Sequence, residues 1–157
     1  MNENTKSIIS DVLIAVLSVA IVGLIGRLLT DTNSAWFIGL AKPSEFVPNF
    51  VFPIMWGIIY VCFAVVIFLL LRRKQMDTCV LVTLVLTGVF QWFWSLIYFR
   101  LNSLLGGLII LVVLFALVIV LFSKLIRKDK LYIYVLTIYP MWLTLATFIN
   151  LSLWAIN

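Results

Sequence analysis

The sequence contains no histidine and only two cysteines, Cys62 and Cys79. Histidine and cysteine are the usual protein ligands of zinc and other transition metals, so we expect no dedicated metal site. The two cysteines do not form a C-x-x-C motif and predict neither a disulfide nor a redox centre. No nucleophile is paired with a general base in a recognisable motif, so the residues alone indicate no acid–base catalysis.

Charged residues are also scarce, at 11% of the chain, where a soluble domain carries about 25%. Hydrophobic residues make up 65%, and the mean hydropathy is +1.24. Because the apolar runs are long and continuous, they predict helices rather than the short alternating strands of a membrane β-barrel. We therefore predict an all-α integral membrane protein, a single five-transmembrane-helix bundle over residues 1–157. A membrane-spanning helix needs about 20 apolar residues, and the expected spans are 8–29, 49–71, 78–100, 104–125 and 131–155.

The positive charges are unevenly distributed between the two sides that this topology predicts. The side with the N-terminus and the loops 72–77 and 126–130 holds eight of the eleven Lys and Arg residues, including Lys124 at the end of the fourth span; Arg27, Lys42 and Arg100 lie on the other side. The positive-inside rule then predicts a cytoplasmic N-terminus and an external C-terminus. The short chain, the lack of a targeting segment and this topology lead us to expect a bacterial inner membrane. Topology and anionic lipid account for the basic clusters, so we expect membrane lipid as a partner and no nucleic acid.

One connection, residues 30–48 with the sequence "TDTNSAWFIGLAKPSEFVP", is much longer than the others. Long loops in compact domains are often functional lids. Pro43 biases Lys42 away from helical geometry, and Pro48 closes the segment before the next span. We predict that this loop is a lid, with Lys42, Pro43 and Pro48 as its characteristic residues.

Within this loop, "SAWFIGL" predicts a short helix at the membrane interface. Ser34 is a suitable N-cap, and Trp36 and Phe37 are expected at the lipid headgroups.

The segment "FQWFWSLIYF", residues 90–99, combines many aromatic rings with an amide and a hydroxyl. Residues at i, i+3, i+4 and i+7 share one helix face, and here they are Gln91, Trp94, Ser95 and Tyr98. The rings of Trp92, Phe93 and Phe99 fall on other faces. An unpaired amide in hydrocarbon is costly, so this stripe should face the bundle interior or a cavity. A purely structural hydrogen bond between helices is the alternative explanation.

Two further spans show a similar stripe. The second span places on one face Pro53, Trp56, Gly57 and Tyr60. The fifth span places on one face Tyr139, Trp142, Ala146 and Asn150, and Pro140 should kink this helix near its start. Rings with a few convergent polar atoms suit a flat, mostly apolar ligand. Because these faces carry no charged residue, they give little support to ion or proton transport.

Four stretches resemble motifs of the translocator protein family, also called TspO/MBR or tryptophan-rich sensory proteins, in its bacterial form. They are "WFIGLAKPS" (36–44), "PIMWGIIY" (53–60), "QWFWSLIYF" (91–99) and "YPMWLTLATFINLSLWAIN" (139–157). Departures from the family pattern are Glu45 and Val47, where Trp and Pro are usual, and Ile110, where an acidic residue is common. Gln91 replaces an Asn and keeps the amide.

The resemblance implies a bundle, often dimeric, that binds porphyrins such as protoporphyrin IX without a required cofactor, and in some members sterols or isoquinoline and benzodiazepine drugs. The implied roles are tetrapyrrole transport, sensing or stress regulation. The residues that we assign to ligand binding on this basis are Trp36, Trp56, Tyr60, Gln91, Trp94, Ser95, Tyr98, Tyr139, Trp142, Ala146 and Asn150.

Two other functions remain open. Some bacterial relatives are proposed to degrade porphyrin in light, and in an enzyme of that type Trp94 and Trp142 would donate electrons. A small-molecule exporter or a purely structural membrane protein is the third possibility, in which the aromatic faces serve helix packing.

Overall fold

The computed structural model describes residues 2–43 and 47–157, and this part of the chain is helical apart from its connecting segments. The position of Glu45 and the middle of the predicted lid lie outside the described residues. In chain order the elements are α1 (Glu3–Leu29), α2 (Ala35–Gly39), α3 (Val51–Arg72), α4 (Thr78–Ser95), a π-turn (Leu96–Arg100), α5 (Leu104–Leu125), α6 (Lys130–Leu136) and α7 (Ile138–Ile156).

Within the described residues, five segments are long and apolar enough to cross a membrane. They are α1, α3, α4 with the π-turn, α5, and α6 with α7. The predicted fold class, an all-helical membrane protein with five spans, is confirmed.

The first span is longer than hydropathy predicts, because α1 begins at Glu3 and not at residue 8. Its first turns are polar, and the Arg72 guanidinium donates hydrogen bonds to Asn4 (3.4 Å) and Ser7 (3.1 Å). A carboxylate in the first turn also interacts favourably with the positive end of the helix dipole. These polar contacts extend the helix beyond the apolar run, where a hydropathy pattern carries no signal.

The last span is interrupted between α6 and α7 at Thr137. Pro140 has no N–H to donate to the carbonyl of Leu136, and its ring crowds that carbonyl. The expected distortion near the start of the fifth span is thus confirmed, and it divides the span into two helices.

The five spans pack in a closed ring. Helix α1 packs against α3 and α4, α4 against α5, α5 against α7, and α3 against α6 and α7. We call the end formed by residues 72–77 and 126–130 the basic end, and the end formed by 30–43 and 101–103 the loop end. The half of the ring at the basic end contains a large part of the apolar core, which includes Phe63, Val66, Leu70, Val80, Leu114, Val118, Leu121, Leu125, Tyr132 and Leu136.

Ion pairs join the helix ends at the basic end. They are Arg72 with Asp11, Arg73 with Asp129, and Lys128 with Asp77. They connect α1 to α3 and the loop 72–77 to the loop 126–130. The segments that carry most of the positive charge therefore meet at one end of the bundle, as the charge pattern predicts.

Two of these carboxylates also cap helices. Asp77 and Asp129 each accept a hydrogen bond at 2.9 Å from a backbone N–H, in α4 and α6 respectively. The hydrogen bond from Lys128 lowers the pKa of Asp77. The backbone N–H of Leu131 and then the Arg73 guanidinium lower the pKa of Asp129.

Acid should therefore destabilise the basic end. Because both folded pKa values are depressed, the stabilisation is fully present above the pKa of an unfolded Asp, about 3.9, and is lost as the pH falls through the lower folded values. We expect the Tm of the detergent-solubilised protein to fall steeply below about pH 4. The double variant Asp77→Asn/Asp129→Asn keeps an oxygen for each cap and should show a flatter decline. Equal declines in variant and parent would contradict this role.

Candidate functional site

The half of the ring at the loop end encloses a cavity of about 490 Å³, within the range of roughly 300–1,000 Å³ typical of small-molecule sites. Its walls come from α1, α3, α4 with the π-turn, α5 and α7. The lining residues are Gly23, Gly26, Arg27, Thr30, Thr32, Phe37, Asn49, Phe52, Pro53, Trp56, Gly57, Tyr60, Gln91, Trp94, Ser95, Tyr98, Phe99, Leu111, Trp142, Leu143, Ala146, Ile149, Asn150 and Leu153.

Most of the residues that the sequence assigns to ligand binding meet at this cavity. On its lining lie Trp56, Tyr60, Gln91, Trp94, Ser95, Tyr98, Trp142, Ala146 and Asn150. The three predicted stripes on α3, α4 and α7 therefore face one space. Whether these residues bind a ligand stays a prediction.

Two of the assigned residues lie beside the cavity instead. Trp36 contacts the ring of the lining residue Tyr98 edge-on, with 5.7 Å between ring centroids, and is not itself on the lining. Tyr139 is buried, and its hydroxyl donates to Oε1 of Gln91 at 3.3 Å. Both therefore support lining residues in this structure.

An aromatic wall runs along α3 and α7. The rings of Trp56 and Tyr60 stack with 5.6 Å between centroids, as their i, i+4 spacing on one helix face allows. Trp142 meets Trp56 edge-to-face at 6.4 Å and Phe52 at 5.5 Å. Such contacts hold the rings in fixed orientations and present large flat surfaces to the cavity.

The π-turn brings two consecutive rings to the cavity. The N–H of Leu101 donates to the carbonyl of Leu96 at 3.0 Å, five residues earlier. This wider turn lets Tyr98 and Phe99 both face inward, and both are buried. The prediction that Phe99 lies on another face was wrong, because it assumed α-helical spacing to the end of the span. Turns of this kind are frequent at functional sites.

The short helix predicted in the loop is confirmed as α2. The Ser34 hydroxyl caps it by accepting a hydrogen bond from the N–H of Phe37 at 3.2 Å. The expected place of Phe37 at the headgroups was wrong: its ring is buried against Tyr98 and Phe99 and lines the cavity. Nζ of Lys42 lies 4.7 Å from the centroid of the Phe37 ring and covers it from outside.

Helix α1 contributes a wall that sequence reasoning missed. A Cβ at Gly23 would come within 3.0 Å of the Tyr60 ring, so a glycine there permits close approach of α1 and α3. Gly26 and Thr30 lie on the same face, at i+3 and i+7. This spacing of small residues was the available signal. Arg27 is the charged member of the lining among the described residues.

The described part of the loop at this end is held by polar contacts. Asn157 accepts a hydrogen bond from the Ala41 N–H at 2.9 Å and donates one to the Ala41 carbonyl at 3.1 Å. Arg100 donates to the Leu28 carbonyl at 2.8 Å and pairs with Asp31 at 3.7 Å. The predicted lid residues do not lie on the cavity lining. These residues are Lys42, Pro43 and Pro48.

A second cavity, of about 320 Å³, lies between α1, α3 and α4 toward the basic end. It is more apolar than the first. Trp56, Tyr60 and Gln91 line both cavities and form the wall between them.

Fold and site together define an α-helical membrane protein that encloses an aromatic cavity. The sequence matches the model of the TspO/MBR family over residues 14–155, and the chain belongs to that family. It is 28% identical over 131 residues to "Protein CrtK" of Rhodobacter capsulatus, covering 78% of this chain and 79% of the relative. It is 24% identical over 145 residues to "Tryptophan-rich protein TspO" of Archaeoglobus fulgidus (91% and 94% covered). The protein of that name from Chlorobaculum tepidum is 26% identical over 140 residues (87% and 89% covered).

Removing the Asn157 side chain should loosen the loop without unfolding the bundle. Asn157→Ala deletes both hydrogen bonds to Ala41, each worth about 0.5–1.5 kcal/mol net. We expect amide hydrogen exchange of residues 35–41 to accelerate about tenfold, while the Tm changes little. Asn157→Asp keeps the acceptor oxygen, so its exchange rate should lie between those of the parent and of Asn157→Ala. Unchanged exchange in Asn157→Ala would show that other contacts hold the loop.

Proposed function

We propose that this protein binds porphyrins, such as protoporphyrin IX, in the cavity at the loop end. The observation that carries the proposal is the meeting of three indole rings from three helices, those of Trp56, Trp94 and Trp142, around one mostly apolar space. A flat, conjugated ring system offers faces that can stack on indoles, and membrane location suits a ligand of low water solubility.

The ligand's orientation would come from the few polar groups on the lining. The Thr30 hydroxyl donates its one proton to the Gly26 carbonyl at 2.8 Å, and its Oγ1 lies 3.4 Å from Oγ of Ser95. The Ser95 hydroxyl can therefore turn its own proton either to Thr30 or to a ligand. The Gln91 carbonyl already accepts from Tyr139, so its NH₂ group is the part directed to binding. Membership of the TspO/MBR family supports this ligand class.

Truncation of Trp142 should test the aromatic wall. Burial of an aromatic ring contributes about 1.5–3 kcal/mol, so Trp142→Ala should weaken protoporphyrin affinity about tenfold to a hundredfold. The matched control is Trp154→Ala on the same helix, because Trp154 is 47% exposed and outside the lining. The protoporphyrin affinity of Trp154→Ala should equal that of the parent.

Gln91→Leu should weaken protoporphyrin binding by about 0.5–1.5 kcal/mol, because it removes the amide from the lining.

Affinity and Tm must be measured on the same samples, by quenching of intrinsic fluorescence and by thermal unfolding. If the aromatic faces serve packing alone, Trp142→Ala will lower the Tm while the affinity per folded molecule stays constant. That result would contradict the proposal.

We further propose that the basic end faces the cytoplasm, as the positive-inside rule indicates. Single cysteines at two exposed positions, Arg127→Cys at the basic end and Asn33→Cys at the loop end, test it in a background with Cys62→Ser and Cys79→Ser. A membrane-impermeant thiol reagent applied to intact cells should label position 33 and not position 127. The reverse pattern would overturn the orientation.

A further inference from the structure

Three helices meet at one corner of the cavity where buried polar atoms lack partners. Nε1 of Trp94 and both amide atoms of Asn150 have no hydrogen-bond partner among the described residues. Asn150 is 2% exposed. Buried polar groups in proteins are nearly always hydrogen-bonded, and an unpaired one is costly. These three polar atoms are left without partners by the described chain, on two residues that also belong to the cavity lining.

Gly107 of α5 makes this corner possible. A Cβ at that position would lie 2.7 Å from Nδ2 of Asn150, 2.9 Å from Cδ2 of Tyr98 and 3.6 Å from Nε1 of Trp94. The first two distances are too short for any side chain. A glycine thus allows the amide of α7 and the indole N–H of α4 to converge on α5.

The donors at this corner define the group that it can accept. The indole supplies one N–H, and the amide supplies an NH₂ group and a carbonyl oxygen. An acceptor oxygen, such as a carbonyl, can accept from both donors. The carbonyl oxygen of Asn150 is then left for an N–H or O–H of the same ligand group, where that group has one. Arg27, the charged lining residue among those described, belongs to α1, and its guanidinium donates to the Thr30 carbonyl at 3.2 Å. A carboxylate buried here without a cation would be strongly disfavoured, so a neutral carbonyl fits best.

We propose that Trp94, Asn150 and Gly107 form a subsite for a neutral carbonyl group of the ligand: an ester, amide, ketone or protonated carboxyl. This inference rests on the proposed porphyrin function and specifies which porphyrins the cavity prefers. Gly107 is a specificity-determining residue. It does not touch the ligand, but its lack of a side chain leaves room for the indole N–H of Trp94 and the amide of Asn150.

Three porphyrin probes separate the alternatives with the purified full chain in lipid nanodiscs. They are protoporphyrin dimethyl ester, protoporphyrin IX as the free dicarboxylate, and an alkyl porphyrin without carbonyl groups. We expect the dimethyl ester to bind about five- to tenfold more tightly than the alkyl porphyrin, as hydrogen bonds to one neutral group allow. Asn150→Leu and Trp94→Phe should abolish this preference. Trp142→Phe, the matched loss of an indole in the same cavity, should weaken both probes and preserve their ratio.

The thermal stability of the ligand-free protein supplies an independent readout. Asn150→Leu replaces an unpaired buried amide by an apolar group of similar volume and should raise the Tm. A merely structural amide would give a lower Tm. Thr83→Val, a buried polar-to-apolar change on α4 outside the cavity lining, controls for the general effect of such substitutions and should keep the affinity ratio.

Each outcome decides a different point. Equal affinity of the parent for the ester and the alkyl porphyrin would overturn the subsite and leave porphyrin binding intact. A preference that survives in Asn150→Leu would overturn it as well. Tighter binding of the dicarboxylate than of the ester, dependent on Asn150, would show that the corner accepts a charged group. If no tetrapyrrole binds the parent, the proposed function fails and the subsite fails with it.

Discussion

Hydrocarbon offers no hydrogen bonds, and this constraint governs where the polar side chains of the bundle lie. A polar group inside the membrane must find a partner in the protein or face a protected space. Gln91, Ser95 and Asn150 are all buried within the ring of spans. The carbonyl oxygen of Gln91 accepts a hydrogen bond from Tyr139, and Oγ of Ser95 lies 3.4 Å from Oγ1 of Thr30. Asn150 is not satisfied by any described residue, and the cavity lies beside it.

The same constraint explains why much of the architecture is predictable from the sequence. Long apolar runs define the spans, and polar residues at helical spacing identify the faces that turn inward. The stripes on α3, α4 and α7 converge because each carries large rings next to an amide, a hydroxyl or a small residue. Lipid solvates such combinations poorly, so the packed ring of helices encloses them.

The residues that the sequence prediction placed wrongly or missed each have a local physical cause. Phe99 reaches the cavity because a π-turn changes the residue spacing at the end of α4. The amino-acid sequence carries no simple signal for the position of such a turn. Phe37 turns inward because Tyr98 and Phe99 provide an aromatic surface for it, which is a tertiary contact. The wall from α1 was overlooked because glycines carry no chemistry of their own, although Gly23 is what permits the close approach of Tyr60.

The two ends of the bundle differ in construction. The basic end combines an apolar core with ion pairs between helix ends. The loop end contains the aromatic cavity and contacts such as that of Asn157 with Ala41. A structure of the protein determined with bound protoporphyrin tests the central claim most directly. The account predicts the macrocycle inside the cavity, in contact with Trp56, Trp94 and Trp142. A macrocycle on the lipid-facing surface, with these indoles packed against one another, would contradict it.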